Sequence, residues 1–435
     1  MLPNGNLFVG GDFNNLTGNP LVSNIGIWDG TRWRGTGLGF EDDSTGFLGA
    51  DGYAVAVNPQ GQVFVGGEFE YIGGAPYSRI AMWDGTNWNN LGAGVDGDVS
   101  ALVIRGDDLY VGGSFSNAGG ITAVRVARYN MRTKTWSALG SGLPNGYVNA
   151  FAFVGNTLYA GGGGFPAQTE CCLWKFDGTT WSPFSQKYIT REFRATFTQT
   201  AVRALASDGQ RLLVGGYYVD LYPRANPDQR INANNLFVYD PRDDSIALFG
   251  DGTDATTGVA NGKYGAVVRA ITIAGDGIYI GGEFTSINTV AALNIARLDA
   301  NGWSALGTGT LDETPENFDE GVSTIAQNGA DLYVGGKFST AGVQAFNIAK
   351  WSTQSRSWSA LGDCGITRNA ESVSIERVAS IAIQPAGLPN AGLYAAGGIL
   401  AAGCEPSTGF AAWYGVGDGG NAPLTPRAFV PLIRR

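Results

Sequence analysis

The chain is 435 residues long, with 67 glycines, 15% charged residues, no histidine and a formal net charge of −10. That charge has the wrong sign for a nucleic-acid backbone or an anionic lipid surface. Without histidine the chain builds no Ser-His-Asp triad and no histidine-ligated copper or zinc site.

Met1 to Asn6 reads as a turn, and at Leu7 a phrase begins that recurs to the end of the chain: Leu7-Phe8-Val9-Gly10-Gly11-Asp12-Phe13. It returns as Val63 to Phe69, Leu109 to Phe115, Ile278 to Phe284 and Leu332 to Phe338, with looser copies at Leu158, Leu212 and Leu393. The glycine pairs of these eight copies lie 46 to 66 residues apart. Repeats at that period stack into one body, so the length does not imply several domains. The first copy has no strand ahead of it. An upstream segment carrying an export signal is therefore expected before Met1.

The third copy displays a whole unit, with apolar segments at 99–104, 109–115, 124–129 and 135–139. Each is short, β-branched or aromatic, and bounded by Gly, Asn or Asp, with no helical period. The same first strand is predicted at 54–57, 150–153, 202–206, 267–273, 322–326 and 378–383. Third strands are predicted to end at Trp28, Trp83, Tyr129, Phe176, Tyr239, Leu298 and Trp351, and fourth strands to begin at Trp33, Trp88, Trp136, Trp181, Trp303 and Trp358. Between them, Asp29-Gly30-Thr31, Asp84-Gly85-Thr86 and Asp177-Gly178-Thr179 predict tight hairpins with positive φ at Asp and Gly.

Four antiparallel strands repeated radially make a propeller blade. The predicted fold is all-β: a single β-propeller over residues 1–420 and a tail over 421–435. Eight blades is the first count and seven the alternative, because the first blade lacks its first strand and the last its fourth.

The LYVGGxF…IARW…WxALG pattern resembles the Kelch-like and Rax2-type propeller repeats, grouped near the delta-60 repeats. The resemblance covers nearly the whole chain. It implies a propeller at a cell surface or in a large exported protein, often without enzymatic activity.

Long connections fall between repeats, at 39–52, 184–200, 250–266, 307–321 and 362–377, and between second and third strands at 217–235 and 400–409. Binding concentrates in such loops. The candidate binding-face residues are Asp42, Asp43, Arg191, Arg194 and Tyr222, with Arg203 close by in sequence. Asp312, Glu313, Glu316, Asp319 and Glu320 supply the carboxylates that Ca²⁺ or glycan acid–base chemistry would need. They lack EF-hand spacing, so solvated charge is the first reading and no cofactor is expected. Cys364 and Cys404 fall in connections on one side of adjacent repeats and are predicted to form a disulfide. For the adjacent Cys171 and Cys172 a strained vicinal disulfide, pairing with a partner and buried thiols all stay open.

The recurring residues are glycine, tryptophan and core aliphatics, and no polar residue recurs on the loop side as a repeat-encoded lectin would require. The sequence therefore reads as an extracellular structural or binding propeller without catalytic activity, serving a surface coat, adhesion or assembly. Its expected partners are protein or glycan at a cell surface, with no nucleic acid and no transmembrane segment. The alternatives are a carboxylate-dependent glycosidase or lyase and a subunit of a surface filament or larger particle.

Overall fold

The computed structural model describes residues 7–10, 25–28, 33–35, 40–41, 51–72, 75–84, 87–144, 146–163, 172–190, 201–217, 221–226, 229, 231, 233–249, 259–260, 266–311, 321–345, 347–360, 366–367, 378–384, 392–397, 401–402, 405–406 and 410–413. Among them there is no helix, and the strand pairs are antiparallel. The chain divides into two compact units: residues 100–311 with 318–325, and residues 1–99, 312–317 and 326–435.

In the first of these units, the third repeat forms a four-stranded sheet in chain order, Val99–Arg105, Asp108–Gly113, Val126–Asn130 and Thr135–Ala138. The next three repeats follow the same order and are joined into one twelve-stranded sheet. The joint is a continuous row of paired residues. Tyr147 pairs Gly163, Gly163 pairs Ala201, Ala201 pairs Tyr217, Tyr217 pairs Val267, and Val267 pairs Glu283. The ends of the second strands Thr157–Gly163 and Leu212–Tyr217 thus pair with the beginning of the next repeat's first strand.

The glycine pair permits this approach. A methyl group at Gly161 or Gly281 would overlap Cγ1 of Val202 or Val322, and one at Gly215 would meet Val268 Cγ1 at 2.5 Å. Val202, Val268 and Val322 are fully buried. The repeat conserves the glycine because the next repeat's valine occupies the space a side chain would need.

The second unit holds the corresponding sheet of the second repeat, Asp51–Val57, Val63–Glu68, Ile80–Trp83 and Trp88–Asn90. Its core joins Val63, Val65, Phe69, Ile72, Ala81 and Trp83. The first repeat contributes a three-stranded sheet, Leu7–Gly10, Ile25–Trp28 and Trp33–Gly35, and the last another, Val378–Gln384, Gly392–Gly397 and Phe410–Trp413. Within this unit Leu7–Gly10 packs beside Gly392–Gly397, and Val378–Gln384 beside Asp51–Val57.

Three details differ from the sequence reading. The long connections are not plain loops: they pair with one another in small satellite sheets. Tyr188–Thr190 pairs Leu221–Pro223, and Val259–Ala260 pairs Ser286–Ile287, which pairs Val290–Ala291. The Asp-Gly-Thr hairpin is a four-residue turn in which Gly178 has φ 102° and Asp177 does not adopt positive φ. There Asp177 Oδ1 accepts the N–H groups of Thr179 and Thr180 at 2.8 and 2.7 Å. These bonds hold the Asp177 carboxyl below the usual carboxylate range.

The third difference is a recurring backbone conformation that no single residue type marks. Before six of the third strands the residue is left-handed: Arg79, Arg125, Cys172, Asn235, Asn294 and Asn347 have φ between 61° and 79°. Each carbonyl accepts the N–H of the second glycine of the pair, as Gly113 donates to Arg125 at 3.0 Å and Gly282 to Asn294 at 3.0 Å. The N–H of Asn294 returns to the carbonyl of buried Phe284 at 2.8 Å, and that of Asn347 to Phe338 at 2.7 Å. Asparagine tolerates this conformation best among non-glycine residues, and its side chain can bond locally. Asn294 Oδ1 accepts the Phe284 N–H at 3.0 Å, and Asn347 Oδ1 the Phe338 N–H at 3.1 Å. The alternation of Asn, Arg and Cys at this site hides it from a search for one recurring residue.

Candidate functional site

In three successive repeats the first strand carries a β-bulge at one place. The register shifts between Val148 and Ala150, Val202 and Ala204, and Val268 and Ala270. The extra residues are Asn149, Arg203 and Arg269. Their neighbours Val148, Val202 and Val268 are buried, as are Ala204 and Ala270. A bulge breaks strand alternation and re-aims one side chain. Here it places a polar group beside an otherwise apolar strand three times in succession.

These groups share surroundings within one unit. The strands Tyr147–Val154, Ala201–Ser207 and Val267–Ala274 pack side by side. Asn149 Nδ2 donates to the Val202 carbonyl at 3.0 Å, bridging two repeats. The Arg203 guanidinium lies 5.8 Å from the Tyr147 ring centroid. Arg269 Nη2 stands 3.5 Å from Glu283 Oε2, with both side chains about four-fifths covered (21% and 18% exposed). Tyr147, Tyr217 and Glu283 come from the row that joins the repeats and are half-buried. In the other unit Tyr53 is the extra residue of the corresponding bulge, and its hydroxyl donates to Glu68 Oε2 at 2.6 Å. In the unit of residues 100–311 the bulges thus set an amide and two guanidiniums along the row that joins the repeats.

A separate polar cluster has a structural role. Asp244 accepts the Tyr239 hydroxyl at 2.9 Å and the N–H groups of Gln186 and Lys187 at 3.1 and 3.0 Å. Burial opposes its charge, but hydrogen bonds from Ser185, Tyr239, Gln186 and Lys187 prevail and hold its carboxyl below the ordinary range. Burial and the Asp244 charge push the Tyr159 hydroxyl up to about 12. The cluster ties the turn after Asp240 to the connection at Ser185 and closes over Phe184 and Tyr239, whose rings meet edge to face at 5.0 Å.

Of the residues singled out in the sequence, Tyr222 is described and lies inside the strand Leu221–Pro223, 1% exposed. It is a core residue of the satellite sheet, because pairing with Ile189 turns its ring inward. Asp42, Asp43, Arg191, Arg194, Asp312, Glu313, Glu316, Asp319, Glu320, Cys171, Cys364 and Cys404 lie outside the described residues. Among the described residues no group of three or more His, Cys, Asp or Glu side chains could hold a metal ion. Cys172 is fully buried. The bulge residues were missed, Arg203 excepted, because a bulge leaves no signature in composition or period. No helix among the described residues is long and apolar enough to cross a membrane.

Residues 53–214 match the family described as the Rax2 C-terminal beta propeller domain, and residues 274–302 match one described as a domain of unknown function (DUF5122) beta-propeller. No curated protein sequence matches the chain. Among solved structures, the chain is similar to the computationally designed Ika8 protein, with 13% identity over 93% of this chain and 98% of that one and a TM-score of 0.48. It is also similar to a chain of the Mitotic Checkpoint Complex, with 15% identity over 82% of this chain and 86% of that one and a TM-score of 0.44. On its repeats and its family matches, the chain is a Rax2-like β-propeller repeat protein.

Proposed function

We propose that this propeller is an extracellular binding or assembly module that engages a surface partner through its long connections and carries out no catalysis of its own. One observation carries the reading. Among the described residues the exposed large apolar side chains are Ile121, Leu311 and Val343, at 40%, 48% and 39% exposure. Ile121 and Val343 sit at corresponding tips of short hairpins between second and third strands, and Leu311 opens a connection between repeats. Within the unit of residues 100–311, Ile121 and Leu311 belong to the two kinds of connection that emerge on one face of a propeller. Apolar side chains that recur at loop tips are better suited to docking a macromolecule than to turning over a substrate.

The test places a photo-crosslinking amino acid at position 121, 311 or 343 of the protein made in its native cells. Crosslinks to a surface macromolecule are expected from these positions, and none from position 132 in the turn between third and fourth strands. Release of new reducing ends or unsaturated sugars from polysaccharide by the purified protein would replace this reading with the glycosidase or lyase. Crosslinks confined to further copies of the same chain would favour the filament subunit.

A further inference from the structure

We infer that Asn301 is a site of spontaneous covalent modification: its side-chain amide closes onto the backbone nitrogen of Gly302 and is converted to aspartate or isoaspartate, which loosens the hairpin that carries it. The inference is independent of the binding role proposed above.

The placement comes first. Asn301 and Gly302 lie at the turn between the third and fourth strands of the sixth repeat, Ile295–Asp299 and Gly302–Ala305. Ala300 and Asn301 are exposed. A methyl group built on Gly302, whose φ is 102°, would meet nothing within 4 Å, so the space beside this residue is open. The strand Gly302–Ala305 lies at an end of its sheet and pairs with Ile295–Asp299 alone among the described residues. Asp299 and Gly302 form the closing pair, which opens first when a hairpin end frays and frees the glycine nitrogen.

The state of the side chain comes second. The backbone N–H of Asn301 donates to Asp299 Oδ1 at 2.7 Å, while its side-chain amide makes no hydrogen bond among the described residues. Neighbouring groups are engaged. Asp299 Oδ2 lies 3.0 Å from Arg297 Nη1, and the Asn294 amide bonds both the Phe284 N–H and the Thr310 carbonyl. The corresponding turn of the fourth repeat holds Asp177 before Gly178, a pair that can close the same ring. There the Asp177 carboxylate accepts the N–H groups of Thr179 and Thr180 and the Thr180 hydroxyl, and these bonds keep it ionised. An ionised carboxylate resists attack by an amide nitrogen; the neutral amide of Asn301 does not.

The chemistry comes third. Hydroxide takes the proton from the Gly302 nitrogen, which bonds to Cγ of Asn301. The bond from Cγ to the amide nitrogen breaks, and ammonia leaves with a proton from water. One water then opens the five-membered imide. Opening at Cγ leaves aspartate, and opening at the backbone carbonyl carbon leaves isoaspartate, whose main chain runs through Cβ and Cγ and is one methylene longer. Nothing is oxidised or reduced. The added methylene falls between Asp299 and Gly302, so the closing pair loses its register. Trp303, which follows and meets the Phe249 ring edge to face at 5.4 Å, is the next residue to loosen.

The experiment holds the whole protein at neutral pH and at pH 9 for several weeks and follows residue 301 by mass spectrometry, with isoaspartate identified by its backbone fragment ions. Residue 301 should gain the mass difference between an amide and an acid, faster at pH 9, with isoaspartate among the products. Asn294 in the same samples should stay intact. Asn301→Gln, whose amide would have to close a six-membered ring, should also stay intact at that position. Amide hydrogen exchange across residues 295–305 should be several-fold faster in the isoaspartate fraction than in fresh protein. Asn301→Asp carries the new charge without the methylene and should exchange as fresh protein does. The chain unfolded in urea supplies the rate in the absence of the hairpin. The inference is overturned if Asn301 survives at pH 9 while the unfolded chain reacts there, if Asn294 reacts as fast, or if aspartate forms without isoaspartate. Unchanged exchange in the isoaspartate fraction, or equally fast exchange in Asn301→Asp, would overturn the loosening of the hairpin.

Discussion

Asn294 Nδ2 donates to the carbonyl of Thr310 at 3.0 Å, fastening the left-handed residue before one third strand to the connection that leaves the same repeat. The same reach appears with other chemistry where arginine stands in that position. Arg125 Nε donates to the Gly146 carbonyl at 2.6 Å, and Arg79 Nη1 meets Asp98 Oδ1 at 2.5 Å. A repeated stitch of this kind orders the connections on the side where binding is proposed.

Asn294 combines a backbone requirement with a hydrogen-bonding one, and two substitutions separate them. Asn294→Ala loses both side-chain bonds and places a methyl group at φ 62°, so it should destabilise by about 2–4 kcal/mol. Asn294→Gly loses the bonds but keeps the backbone relaxed, and should cost about 1 kcal/mol less. Thermal melts of the three proteins check the order.

Thr310 offers a stabilising change. Its hydroxyl is fully buried with no hydrogen-bond partner. The corresponding residues after the Leu-Gly-x-Gly turns are Val95 and Leu143, whose N–H groups make the same bond that Thr310 makes to Leu293. Thr310→Val removes an unsatisfied polar atom at constant shape and should stabilise by about 1 kcal/mol. The reverse change, Val95→Thr, should destabilise by a similar or larger amount. A shift of Thr310→Val to a lower melting temperature would refute the assignment.

Gly281 tests the packing of one repeat on the next. Gly281→Ala places a methyl group on Val322 Cγ1 and on Ile325 Cδ1, the latter at 3.0 Å, and should destabilise by about 1–3 kcal/mol. Val322→Ala alone opens a cavity and also destabilises. The double variant should recover part of the loss, because the added methyl occupies the vacated space. Additive losses would contradict the contact.

Asp244 gives a pH dependence whose sign follows from its lowered pKa. The folded state binds fewer protons than the unfolded state between the two pKa values, so stability rises with pH across that window. The contribution is fully present above the unfolded carboxylate value near 4 and fades as pH falls through the lower folded value. Asp244→Ala should cost about 1.5–3 kcal/mol at neutral pH through its lost hydrogen bonds, and the gap to the parent should narrow in acid. Melts between pH 2 and 7 measure it.

The strands were legible from the start, and for a local reason. A glycine pair after an apolar triplet, tryptophan opening a fourth strand and turn residues between them are nearest-neighbour signals, and the segment predicted at 99–104 is the observed strand Val99–Arg105. The Asp-Gly-Thr turns were located but their conformation was not, since whether Asp177 takes positive φ or caps the turn through its side chain depends on how far apart the strands are held.

Other features had no local signal. Tyr222 reads in sequence as an exposed loop tyrosine, and only its pairing with Ile189, more than thirty residues earlier in the chain, turns it into the core. The left-handed position is written as Arg79, Arg125, Cys172, Asn235, Asn294 and Asn347, three residue types that share a backbone geometry and not a chemistry. Arg203 and Arg269 occupy equivalent positions only because each sits at a register shift in a first strand that packs on its neighbour. The sequence by itself determined which segments become strands, because strand formation is set by side-chain alternation and turn chemistry within a few residues. Tertiary structure alone decided which polar groups meet, because bulges and neighbour pairings are fixed by hydrogen bonds between residues tens of positions apart.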